Sequence, residues 1–314
     1  MVGTIKQAEL VAQKTLQQSI VCKGVGLHSG RQVSVKLRPG EANSGIIFIR
    51  TDLPGGQGVI PARWHNVVDT RLCTVIGNRS GASVGTIEHL MAAFSGCGID
   101  NAVVEVDGVE APILDGSSAP WVSLIKRAGM VRQAAKRRAI RVHRPVVVRE
   151  DDKVAILSPS LTPRITVEID FPSAAVGFQQ RSLELVKGVF NSAVAGARTF
   201  GFMHEVEYLR NQGLALGGSL ENAIVIDGDT ILNREGLRFQ DEFVRHKILD
   251  CVGDLYLAGG PILGHFHGYK PGHKLNNELL YALFAQPNAW SYVAFSRVHA
   301  ESTAWTEERL AASA

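Results

Sequence analysis

No run of 18 consecutive apolar residues occurs in the 314-residue chain, and its amino terminus lacks a basic stretch leading into an apolar one. Neither a spanning helix nor a secretory leader is expected. Cysteine is scarce: Cys22, Cys73, Cys97 and Cys251 stand far apart without C-x-x-C spacing. That argues against a cysteine-based zinc site and a disulfide framework, and for free thiols in a reducing cytoplasm. Charge of either sign is also in short supply, the net being +3, and the dense basic cluster Lys136–Arg138 is only three residues long. A nucleic-acid partner is therefore not expected, whereas an anionic small substrate is compatible. What the chain does have is 45% hydrophobic residues over a length that permits two domains.

Residues 20–37 read as two alternating strands around a glycine-bearing turn, and residues 140–157 repeat that hairpin logic with an acidic turn at Glu150–Asp152. Each hairpin is followed by one helical segment. Residues 86–95 are closed by Gly96 and lead into a strand at 101–106; residues 241–257 are closed by Gly259 and Gly260 and lead into 261–263. A further helix, 121–128, follows Ser118 and Pro120 and ends at Gly129. The reading is an α+β fold of two pseudo-duplicated domains, 1–135 and 136–314.

On the helix through 243–254, a turn of about 100° per residue gathers His246, Lys247, Asp250 and Asp254 into one polar stripe, opposite Val244, Ile248, Val252 and Leu255. A charged stripe is ordinarily a solvated face. Asp250 and Asp254, however, are like charges at i,i+4 with no Glu/Lys ladder around them, so something positive is expected between them. On the helix at 86–95, Thr86 is a candidate cap and Ile87, Leu90, Met91 and Phe94 form the apolar face. Glu88 and His89 point the other way, flanked by Ala92 and Ala93, which suggests close packing or a cavity.

A zinc hydrolase needs three ligands, an open position, and a carboxylate that can take a proton from water. His89, His246 and Asp250 fit the ligand role. Glu88, adjacent to His89, fits the general base. His273, after Pro271-Gly272 at the expected start of a helix, is placed to project into a cleft as an imidazolium acid, with Asp254 raising its pKa. His265 and His267, in the same histidine-rich segment, read as strand-face or surface residues.

The segments Thr86–Leu90, Ala197–Met203, Phe243–Asp250 and Gly272–His273, with Gly24–Gly30, Thr70–Thr74 and Leu114–Pro120, together resemble the UDP-3-O-acyl-N-acetylglucosamine deacetylases of bacterial lipid A synthesis. The resemblance extends from about Lys14 through Phe284. It implies one Zn²⁺ per chain on His89, His246 and Asp250, with Glu88 as base and His273 as acid. It also implies that Thr199 donates to the developing oxyanion, that Asp254 orients His273, and that Lys247 and Lys270 face the diphosphate region. Phe171 and Phe200 would flank the sugar and nucleotide, and Val206, Leu214, Leu216 and Leu220 would wall an acyl passage in the second domain. The family's fold sandwiches its helices between two sheets, with the site at the domain junction.

The implied reaction is hydrolysis of the 2-acetamido group of a UDP-linked acylated amino sugar, the committed step of lipid A synthesis, by a cytoplasmic monomer. Residue types alone leave Zn²⁺ and Fe²⁺ open. Two rival readings use the same residues: another zinc amidase or peptidase, distinguished by failure of UDP to compete, and a non-catalytic sugar-nucleotide binder, distinguished by absence of acetate release.

Overall fold

The first hairpin forms as the alternation predicts, and the second in part: its 140–148 arm divides at Arg144 and Pro145 into Arg138–Val142, which pairs with other strands, and Val146–Glu150. Strands Ile20–Val25 and Gln32–Pro39 pair antiparallel with Ile20 opposite Leu37, and Val33, Val35 and Leu37 turn inward. Strand Val146–Glu150 pairs antiparallel with Lys153–Pro159 across the acidic turn. The computed structural model of the chain describes residues 10–296.

The first hairpin belongs to a five-stranded sheet ordered Ile20–Val25, Gln32–Pro39, Ala102–Val106, Ile46–Arg50, Val59–Pro61. The second belongs to a seven-stranded sheet built around Ile262–Tyr269. That strand pairs with Arg138–Val142 through its first two residues, then with Lys153–Pro159 on one side and Arg164–Asp170 on the other. Each half adds a three-stranded sheet: Val67–Asp69, Val75–Gly77 and Ser83–Val84 in the first, Phe200–Phe202, Ile224–Asp227 and Thr230–Ile231 in the second. Ala12–Leu16 pairs with Met130–Lys136, bringing the start of the described chain to the point where the second half begins.

Six helices are described: α1 (Glu88–Cys97), α2 (Ala119–Ala128), α3 (Val189–Ala193), α4 (Met203–Asn211), α5 (Glu242–Tyr256) and α6 (His273–Phe284). The fold is α+β. Helices α1 and α5 pack along one another, α2 lies on α1 and on strand Ile20–Val25, and α5 and α6 lie on the seven-stranded sheet. One buried cluster runs from Leu37, Phe48 and Val104 through Leu90, Met91 and Phe94 to Phe243, Ile248, Val167 and Phe266. At about 25 cal/mol per Å² of apolar surface, each such fully buried side chain contributes roughly 1.5–3 kcal/mol.

Three local expectations are corrected. Thr86 does not cap α1: its backbone is left-handed (φ 54°), and its hydroxyl donates to Glu110 at 3.3 Å, so the helix starts two residues later without a side-chain cap. Gly96 does not close α1. It lies inside the helix because a Cβ there would sit 2.0 Å from the Phe190 ring, and Gly98, with φ 69°, ends it. Ser118 does stand at the start of α2, but its hydroxyl donates to the carbonyl of His89 at 2.7 Å instead of capping its own helix.

The largest departure concerns the polar stripe of α5. His246, Asp250 and Asp254 are all buried, as are Val244, Ile248 and Val252 on the opposite face. Helix α1 covers the stripe, and the two helices touch at Gly253, where a Cβ would lie 2.1 Å from the Glu88 carbonyl oxygen. Only glycine permits that approach.

Candidate metal and acid–base centre

Helix α1 brings Glu88 and His89 to the junction, and α5 brings His246, Asp250 and Asp254 to meet them. One ligand atom from each of His89, His246 and Asp250 lies within 4.8 Å of the others, and all three residues are buried. Oδ1 of Asp250 is 3.3 Å from Nε2 of His246 and 3.6 Å from Nε2 of His89. A tetrahedral ion with bonds of about 2.1 Å has ligand–ligand edges of roughly 3.4 Å, so the spacing fits.

Proton accounting supports the same reading. Nδ1 of His246 faces the carbonyl oxygen of Ala197 at 3.1 Å; a carbonyl only accepts, so Nδ1 carries the hydrogen and Nε2 presents a lone pair. Burial pushes the His246 pKa down to about 4, keeping the ring neutral. Burial opposes ionisation of Asp250, but the Lys247 charge, with His89 and His273 beside it, outweighs burial and holds its carboxyl well below the ordinary carboxylate range. Its Oδ2 accepts from Lys247 at 2.9 Å, while Oδ1, the oxygen that faces both Nε2 atoms, is buried without a hydrogen-bond partner. Lone pairs converging on one point without a proton between them are what a bound cation satisfies. The three residues can hold a metal ion.

The positive partner expected between Asp250 and Asp254 divides in two. Lys247 answers Asp250, and His273 answers Asp254 through Nδ1–Oδ2 at 2.9 Å. Burial alone would lower the His273 pKa; the carboxylates of Asp254 and Glu88 outweigh it and raise it to about 9. Nε2 of His273 is 4.0 Å from Oε1 of Glu88, whose own pKa is raised by burial. A carboxylate more basic than usual and an imidazolium thus face each other across the site.

Two residues without a sequence-derived role tie this pair together. Thr74 donates its backbone N–H to Oε2 of Glu88 at 3.1 Å and its hydroxyl to Oδ1 of Asp254 at 2.6 Å. Asn276, on α6, donates to Oδ2 of Asp254 at 2.9 Å. Thr74 belongs to the Thr70–Thr74 segment, but nothing in that segment reveals its partners. A third, Glu110, threads the glycine loop at 24–30: it accepts from the backbone N–H groups of His28 and Ser29, and a Cβ at Gly26 would be 2.1 Å from its Oε1.

A cavity of about 440 Å³ opens onto these residues. Thr199, Phe200, Phe171, Lys247, Lys270 and His273 all line it, beside His246 and Asp250. Phe171 and Phe200 meet edge to face at 5.7 Å between ring centres, and Phe200 packs against Phe243. The segment carrying Thr199 is fixed by its neighbour Arg198, whose buried guanidinium and N–H bond the buried Glu242 carboxylate at 2.9–3.2 Å. Lys153 is a further lining cation that the sequence did not single out. Lys270 also pairs with Asp152 at 2.8 Å and lies 3.6 Å from Asp170.

The four passage residues stand apart from this cavity's lining. Val206 lies on α4 and Leu214 is half-buried, while Leu216 and Leu220 are 53% and 43% exposed, so they are not ordinary core. Their loop is seated on the first half: the Leu216 and Gly217 N–H groups donate to the carbonyls of His28 and Leu27. His265 and His267 face out of the seven-stranded sheet at alternate positions, bonded to Thr166 and Glu168.

Residues 13–285 match the family described as LpxC: UDP-3-O-acyl N-acetylglycosamine deacetylase. The UDP-3-O-acyl-N-acetylglucosamine deacetylase of Idiomarina loihiensis is 50% identical over 293 residues, covering 93% of this chain and 95% of its own. That of Phenylobacterium zucineum is 50% identical over 290 residues, covering 92% and 99%, and that of Shewanella baltica 48% over 290 residues, covering 92% and 94%.

Proposed function

Because this chain belongs to the UDP-3-O-acyl N-acetylglycosamine deacetylase family, we propose that the junction of α1 and α5 is its catalytic centre, with the residue roles set out below. The protein is an enzyme that deacetylates UDP-3-O-acyl-N-acetylglucosamine in lipid A biosynthesis. No described helix is long and apolar enough to cross a membrane. We place the enzyme in the cytoplasm as a monomer, with domains at 1–135 and 136–314.

The metal is Zn²⁺, one per chain, held by His89, His246 and Asp250; when bound it supplies Lewis acidity to the scissile carbonyl and to the attacking water. The observation that carries the placement of a metal on these three residues is their burial and convergence, one with an unpartnered oxygen, beside a carboxylate and an imidazolium.

Glu88, desolvated and more basic than a free carboxylate, takes the proton from water as it attacks the amide carbon. Thr199, held by the Arg198–Glu242 pair next to it, donates to the oxygen that gains negative charge. An amide anion is too poor a leaving group to depart, so His273 delivers its proton to the amine nitrogen. Asp254 keeps that proton on the ring until then, and is itself held by Thr74 and Asn276.

Lys247, Lys270 and the half-buried Phe171–Phe200 pair take the diphosphate and the rings of the UDP-sugar. The acyl chain runs along Val206, Leu214, Leu216 and Leu220, and the exposure of Leu216 and Leu220 suits a ligand's tail. The deciding experiment measures bound metal by elemental analysis and acetate release from a UDP-linked acylated sugar on one preparation. Glu88→Ala is expected to keep its metal and lose roughly 10²–10⁴-fold in turnover. Turnover within a few-fold of the parent would remove Glu88 from the base role. Competition by UDP that weakens in Lys247→Ala separates this reading from another amidase.

A further inference from the structure

A second cavity, of about 560 Å³, lies at the carboxyl ends of α1 and α5 and shares no lining residue with the catalytic one. Its floor is apolar, formed by Val252 and Leu255 of α5, Phe190 of α3, and Ile165 and Phe266 of the seven-stranded sheet. Its rim is cationic: Lys14, Arg132, Arg137, Arg164 and Lys187 all border it, and among the described residues no carboxylate lines it.

Among the described residues, Arg137 alone of these five has a close ion-pair partner, Asp100 at 2.7 Å. That carboxylate is also committed to the backbone N–H of Lys14. Among the described residues, no carboxylate pairs with Lys14, Arg132 or Lys187. Burial and the charge of Arg137, then those of Arg132 and Lys187, push the Lys14 pKa down against the opposing field of Asp100, so these cations lie within reach of each other's fields. The basic cluster Lys136–Arg138, unused by the catalytic centre, thus contributes Arg137 to this rim. Crowding five cations in a chain of net charge +3 is unfavourable unless an anion shares the space. The volume falls in the range of ordinary small-ligand sites.

We propose that this cavity binds an amphiphilic anion, a phosphate or carboxylate head on a hydrocarbon tail, with the head among Lys14, Arg132 and Lys187 and the tail on Val252, Leu255 and Phe190. The site is separate from the UDP-sugar site, and the inference does not depend on the catalytic roles assigned above.

Isothermal titration of decyl phosphate, below its micelle concentration, into the full-length metal-loaded enzyme saturated with UDP tests it. The expected result is a single site whose affinity falls at least about tenfold in Arg132→Ala/Lys187→Ala, since a charge-assisted hydrogen bond contributes enough for that factor. Both side chains are exposed, so the variant is expected to fold, with unchanged acetate release as the check. Decanol and inorganic phosphate should each bind more weakly than decyl phosphate. Binding of inorganic phosphate alone with equal affinity would show that the apolar floor takes no part, and equal binding of decanol that the cations take none. Either result, unchanged affinity in the double variant, or no binding to the parent overturns the proposal.

Discussion

Replacing Asp254 by Asn removes one charge and almost no volume, and it isolates what holds the proton on His273. Asp254 accepts from Nδ1 of His273 at 2.9 Å, from Thr74 at 2.6 Å and from Asn276 at 2.9 Å. An Asn oxygen can keep the bonds from His273 and Asn276, and the Thr74 hydroxyl can rotate to accept from the new amide. What goes is the anion that outweighs burial and lifts the His273 pKa to about 9. Without it, burial governs and the pKa falls to or below the ordinary 6.5, with only Glu88 at 4.0 Å and Asp250 opposing. A drop of about 2.5 units corresponds to roughly 3 kcal/mol.

The sign follows from the role. The acid acts when protonated, so activity disappears as pH rises through its pKa, and the basic limb of the kcat/KM profile moves to lower pH in the variant. At pH 8, about nine-tenths of His273 is protonated in the parent and about one-thirtieth in Asp254→Asn, a loss of roughly 30-fold that shrinks toward pH 6. A divalent cation on the three ligands shifts both profiles downward, because its charge favours the neutral ring, but it acts on both enzymes alike. Stability moves with the same sign: the raised His273 pKa stabilises the fold fully below pH 6.5 and loses that contribution as pH rises through about 9. The stability gap between parent and variant should therefore close over that interval. Acetate release measured across pH 5.5–10 is the assay. A basic limb that stays within half a unit of the parent's in a metal-loaded Asp254→Asn enzyme would falsify the argument.

Thr74→Val is expected to lower kcat about tenfold with KM little changed, as befits one hydrogen bond to a charged group, and Thr74→Ser to restore most of it. A Val variant at parental kcat would mean that the backbone bond to Glu88 suffices. Glu242→Ala removes the buried carboxylate of Arg198 and leaves its guanidinium only the exposed Glu235, at 2.8 Å, which should cost about 3–5 kcal/mol in urea unfolding. A loss under about 1 kcal/mol would show that water or Glu235 replaces it. Gly253→Ala forces α1 and α5 apart at the Glu88 carbonyl, so a chelator should strip the metal from it at a concentration about tenfold lower than from the parent. Equal resistance would show that the ligand spacing absorbs the added methyl.

Periodicity located α5 and its two faces because a 3.6-residue repeat is written in adjacent residues. It could not tell that the polar face meets another helix, since a stripe of His, Lys and Asp has the same pattern whether water or α1 covers it. The grouping of His89, His246 and Asp250 beside Glu88 and His273 was legible because metal and proton chemistry restricts its candidates to a few residue types. Thr74 and Asn276 were not, because a Thr and an Asn are unremarkable until the fold brings them to Asp254 from distant segments. Thr86 was misread as a cap because its side chain suits one, whereas its left-handed backbone is imposed by packing against Glu110 and Cys73. Leu216 and Leu220 look like core in the sequence and are surface in the fold, since hydrophobicity alone does not say whether a partner is a side chain or a ligand.

The three residues that can hold a metal ion are shared between α1 and α5, one from the first and two from the second. Cation binding and the contact between the two helices are thus linked: the factor by which the ion strengthens the contact equals the factor by which the formed contact strengthens ion binding. Stripping the ion should speed amide hydrogen exchange at the α1–α5 seam before it does so in either sheet, and a ligand that tightens the seam should slow release of the ion.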